Sequence, residues 1–117
     1  MINLPVDEAY AFDYLSILKI KSDINAQNPA LSDAYEGCLT ALRAQLGASV
    51  EAILVSPEYL DLLQSNRLTF DAVDRARNGD SITAKEVDDC NMERFRCKMA
   101  LQQRFFNGDL VETKISK

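Results

Sequence analysis

Apolar residues along this chain recur at intervals of three and four, the period of α-helices, and hardly anywhere at the alternation of a strand. Pro5 suits a first helical position, and Asp7 and Glu8 would fall in the electropositive first turn. From there Val6, Tyr10, Ile17 and Ile24 share one stripe, flanked by Tyr14, Leu15 and Leu18. That arc covers close to half the helix, more than one packing contact needs, while Phe12 falls on the opposite, charged side. The first helix is therefore expected to touch more than one surface.

Punctuation residues place the later elements. Asn28 can cap a second helix, Pro29 can start it and Gly47 can end it. Its expected face is Leu31, Tyr35, Cys38, Leu42 and Leu46. Gly37 lies mid-helix, where it costs about 1 kcal/mol relative to alanine, and a close helix crossing would explain it. Residues 48–55, "ASVEAILV", fit a short helix or a single strand; with no strand elsewhere to pair with, helix is preferred. Ser56 and Pro57 open the next helix, with Leu60, Leu63, Phe70 and Val73 in helical register and Gly79 as the stop. "QSNRLT" is weak helix and a candidate kink. Thr83 to Glu86 forms a capping box, with Ile82 and Val87 as its hydrophobic staple, and Asn107-Gly108 reads as the end of that helix.

The last helix poses the main puzzle. With Val87 at 0° and 100° per residue, Cys97, Cys90, Leu101, Val87 and Phe105 span about 280° to 0°. Phe95, Phe106, Met99 and Met92 span about 80° to 140°, a second apolar stripe. Between them runs a polar row of Asn91, Arg94, Lys98 and Gln102. Three arrangements accommodate it. One stripe can face the core and the other a second subunit, with the row in the notch between them. Arg94 and Lys98 can pair with acids of the first half, Asp13 or Asp33 for example. Or the row can line a pocket for a small anion, since arginine suits carboxylate and phosphate recognition.

Composition narrows the functions. A chain of 117 residues with 47% apolar and 26% charged residues is one ordinary globular domain. The net charge of -5 and a pI of about 4.6 disfavour a nucleic-acid partner, which calls for a basic patch. No run approaches the roughly 18 apolar residues of a membrane span. The N-terminus lacks a basic stretch, so neither a membrane nor a secretory signal is expected. Three cysteines, an odd number with no C-x-x-C pair, read as free thiols of a reducing cytoplasm.

Chemistry is sparse. There is no histidine and the four glycines are scattered singly, so imidazole mechanisms and phosphate-cradling loops are unsupported. No cofactor is implied. Cys97 lies between Arg96 and Lys98, but neighbours point about 100° apart on a helix and no imidazole base exists to activate a thiol. Carboxylate pairs three apart, Glu58 with Asp61 and Glu86 with Asp89, could hold a metal if two such pairs faced each other.

The sequence thus predicts an all-α bundle of four to five helices over residues 1–108, with 109–117 a C-terminal tail, frayed or extended as an arm. Surplus apolar surface on the first and last helices points to a homo-oligomer, most simply a dimer, with Met92, Phe95, Met99 and Phe106 at the interface. The preferred function is a non-enzymatic interaction or accessory module of the cytoplasm. Two alternatives are a metal-dependent hydrolase of a phosphorylated small molecule, and anion binding at Arg94 and Lys98.

Overall fold

The computed structural model describes residues 2, 4–108 and 110. Those residues form five helices: α1 (Glu8–Ile24), α2 (Pro29–Leu46), α3 (Ser49–Leu54), α4 (Pro57–Arg77) and α5 (Ala84–Phe106). Residues 49–54 are helix, as preferred above, and no strand occurs among the described residues. The expected tail, 109–117, lies outside them except for Leu110, which is fully buried in the core.

Local signals decide most helix ends. The Asn28 side chain accepts from the Ala30 N–H at 3.1 Å, and the Ser56 hydroxyl accepts from the Tyr59 N–H at 3.2 Å, each followed by proline at the first position. Thr83 accepts from the Glu86 N–H at 3.1 Å. The Glu86 carboxylate is turned to Arg75 at 3.3 Å, across to α4, instead of completing the box. Gly47 and Gly79 take positive φ, 65° and 82°, just past α2 and α4, and Asn107 does so at 52° after α5. These are the left-handed stops that glycine and asparagine tolerate.

Three expectations are corrected. Helix α1 begins at Glu8 with Asp7 as N-cap, so Pro5 precedes the helix. Helix α4 runs unbroken through "QSNRLT", because Ser65 and Asn66 there are buried and hydrogen-bonded. Gly37 is exposed, with open space where a side chain would stand, so no close crossing accounts for it.

Helix α1 is the hub, packing on α2, α4 and α5, while α4 and α5 share the most extensive contact. The core joins Phe12 and Leu15 of α1, Leu39 and Leu42 of α2, Val50 and Ile53 of α3, Tyr59 and Leu62 of α4, and Leu101 of α5. Phe12 meets Tyr59 edge-on at 6.2 Å and Phe106 at 6.4 Å.

The face α1 buries is therefore only partly the expected one. Of the expected face, Leu15 and Leu18 are buried and Tyr10 packs on the core, while Val6, Tyr14 and Ile24 are exposed; Ala9, Phe12, Asp13, Ser16 and Ile20 are buried beside them. Asp13 and Ser16 made the inner arc look polar; partners from other helices make their burial affordable. Helix α4 is likewise rotated from expectation. Tyr59, Leu62, Ser65, Asn66 and Ala72 are buried, and Leu60 and Val73 are exposed.

Candidate functional site

The polar row of α5 lies along α1. The two helices run antiparallel, so successive turns of α5 meet successively earlier turns of α1. The Arg94 Nη2 lies 3.6 Å from the Asp13 carboxylate. One turn on, the Lys98 ammonium sits 4.8 Å from the centre of the Tyr10 ring. One turn further, the Gln102 Oε1 accepts from the Ala9 N–H at 2.8 Å, while its Nε2 donates to Glu8 at 3.1 Å. Gln102 is buried, and it satisfies an N–H of the first turn of α1, where Asp7 makes no side-chain cap bond. The fourth residue, Asn91, is exposed on the surface of α5.

Asp13 anchors a buried polar cluster at the junction of α1, α4 and α5. The Asn66 Nδ2 donates to the Asp13 carboxylate at 2.8 Å and to the Ser16 hydroxyl at 2.6 Å. Ser16 in turn donates to the Asp13 backbone carbonyl at 2.7 Å. Asn66 and Ser16 are essentially inaccessible to solvent. Arg94 completes the cluster through its terminal nitrogen, leaving a buried Nε without a partner. Its charge is already matched by Asp13, so this geometry favours a structural ion pair over an open anion pocket. Lys98, spread over an aromatic face, is likewise engaged.

The carboxylates weighed as metal ligands are dispersed. Glu58 bonds Arg104, Glu86 bonds Arg75 and Asp89 bonds Lys85, while Asp61 lies exposed. Among the described residues, no three acids or cysteines come together as a cation requires.

The second stripe of α5 divides along its length. Met99 and Phe106 pack against the core, whereas Met92 is 54% and Phe95 36% exposed. On α5 this stripe lies about 90° beyond the seam with α1, on the side away from Cys97 and Cys90 and hence away from α4. On α1, Tyr14 lies about 40° beyond Tyr10, again away from α4. Tyr14, 57% exposed, and the Met92–Phe95 pair therefore face the same way, as one apolar outer face of the α1–α5 pair. The extended segment before α1 adds Leu4 and Val6, both exposed, in a surface trough with Tyr10 and Tyr14.

All three cysteines are free. Burial pushes the Cys97 thiol above its ordinary pKa, partly opposed by a hydrogen bond with Ser65, and burial also raises Cys38. Neither is poised as a nucleophile, which needs a lowered pKa. Tyr59 is raised as well, chiefly by burial.

Compared with protein-family models, curated proteins and solved structures, the chain matches none. Among the described residues no helix is long and apolar enough to cross a membrane.

Proposed function

We propose that this chain is a non-enzymatic interaction module that pairs with a second copy of itself through the outer face of α1 and α5. The carrying observation is the exposure of Tyr14, Met92 and Phe95 on one side of two packed helices. Large apolar side chains grouped at a surface mark interaction sites, and aromatic and methionine side chains are enriched at interface cores.

Charge supports a second copy as the occupant. From Asp7 to Leu18 the chain carries three acids and no base, and from Arg94 to Arg104 four bases and no acid. Within the protomer Asp13 pairs with Arg94, Arg96 with Glu93 and Arg104 with Glu58, and Lys98 lies over Tyr10. A two-fold pairing that lays α1 across the partner's α5 sets an acidic segment against a basic one twice, as an isologous interface allows. The free thiols favour a reducing cytoplasm as the working compartment.

Sedimentation of the wild type against Phe95→Glu tests the reading. A dimeric wild type and a monomeric variant of unchanged helix content are expected. A wild type that stays monomeric at high micromolar concentration overturns the pairing.

A further inference from the structure

A second surface feature lies away from the α1–α5 face. Where the C-terminal half of α4 meets the start of α5, a groove of about 310 Å³ opens between them. Ala72, Val73 and Ala76 of α4, Ile82 of the connecting segment and Val87 of α5 form an almost wholly apolar lining. Thr69 also lines it, but its hydroxyl already donates to the Ser65 carbonyl at 2.9 Å. Apart from Arg77, the groove therefore asks no hydrogen bond of whatever fills it.

One charged residue lines it. Arg77 has no ion-pair partner among the described residues, in contrast to Arg75, which is held by Glu86 at 3.3 Å and by the Ser81 carbonyl at 3.5 Å. An apolar trough edged by an exposed arginine complements a molecule with an apolar chain and a single anionic head. Arginine binds a carboxylate through two parallel N–H bonds. At roughly 30 Å³ per non-hydrogen atom, water's share of liquid volume, the groove holds about ten such atoms.

We propose that the α4–α5 groove binds a single-chain anionic amphiphile, with an acyl chain of about eight carbons along Val73, Ile82 and Val87 and its carboxylate on Arg77. Cys90, a half-buried free thiol in the same lining, is a built-in reporter of occupancy.

The probe is octanoate, with 1-octanol as its uncharged counterpart, titrated against the full chain by calorimetry and followed by alkylation of Cys90. Octanoate should bind the wild type with a Kd on the order of 0.1–1 mM, as expected for about ten atoms. Saturating octanoate should slow Cys90 alkylation several-fold and leave Cys38 unaffected. Arg77→Gln should weaken octanoate about tenfold while leaving octanol within about twofold, the loss of one charged contact. Ala76→Trp should fill the groove and abolish binding of both. If Ala76→Trp does not fold, the octanoate-to-octanol ratio of Arg77→Gln decides. Equal octanoate binding by wild type and Arg77→Gln, Cys90 alkylated at the same rate with and without octanoate, or no binding at 20-fold the upper expected Kd each overturns the proposal. The last outcome would reassign the groove to a polypeptide side chain. Phe95→Glu, which addresses the α1–α5 face, should bind octanoate like the wild type, so the two readings fail separately.

Discussion

At the residue scale, Asp13 shows how a polar side chain can belong to a core. It is 8% exposed and held by Asn66, with Arg94 3.6 Å away. A buried pair contributes little against an apolar substitute, but breaking one partner leaves an uncompensated group. Because Arg94 is a quarter exposed, solvent screens part of that cost. Asp13→Ala should destabilise by about 2 kcal/mol in urea unfolding, below the 3–5 of a fully buried pair. In a double-mutant cycle with Arg94→Met, the two losses should fall short of additivity by about 1 kcal/mol. Strict additivity would show that the contact carries no coupling. The thiols set a pH dependence at the same scale. Cys97 and Cys38 hold their protons above the ordinary thiol pKa when folded. The unfolded chain releases them first, near pH 8.5, and thereby gains stability relative to the fold. Thermal stability should therefore be flat below about pH 8 and fall as pH rises through the alkaline range. Cys97→Ala should flatten that fall; an unchanged slope would remove Cys97 as its source.

At the element scale, α1 depends on α5 for its N-terminal cap. Asp7 stands at the N-cap without a side-chain cap bond, and Gln102 supplies an acceptor to Ala9 from 93 residues away. Gln102→Leu should cost about 1–2 kcal/mol, the range of a lost cap with a buried N–H left unpaired. Native-state amide exchange should show the loss first at Ala9 and its neighbours; protection unchanged there would contradict the capping role. Helices α2, α4 and α5 carry their own caps in Asn28, Ser56 and Thr83. Their starts were legible in the sequence, whereas the start of α1 was displaced from Pro5 to Glu8. Its acceptor for Ala9 is tertiary, although Asp7 at the N-cap is a residue type that favours that position.

At the scale of the whole molecule, the arrangement turns an apolar face of the α1–α5 pair outward. Antiparallel packing of α5 on α1 spends the polar row on the seam and turns Met92 and Phe95 outward beside Tyr14. If that face pairs with its copy, the melting temperature should rise with protein concentration in the wild type. It should be concentration-independent in Tyr14→Glu, measured by calorimetry over a hundredfold range. A concentration-independent wild type would argue against pairing.

The sequence by itself determined the helical class, most helix boundaries and the doubled apolar character of α1 and α5. These are set by side chains acting on backbone within a turn or so: Asn28, Pro29, Ser56, Pro57, Thr83 and Asn107 each bond or constrain residues at most a few positions away. Tertiary structure decided which arc of α1 and of α4 faces inward. The apolar tally favoured Val6, Tyr10, Ile17 and Ile24 with Leu15 and Leu18 beside them; α1 buries Leu15 and Leu18 but turns in the arc containing Phe12, Asp13 and Ser16, leaving Val6 and Ile24 exposed. The reason is that a buried polar group is tolerable only with its partner, and Asn66 lies 53 residues from Asp13. The α5 row was visible as a boundary between two stripes, and Asp13 was among the acids proposed for Arg94. That Arg94, Lys98 and Gln102 close on α1 turn by turn, and leave the groove beside Arg77 on the other flank, depends on the direction and rotation of packed helices. Periodicity along one chain gives the faces of each helix, but only packing assigns those faces to one another.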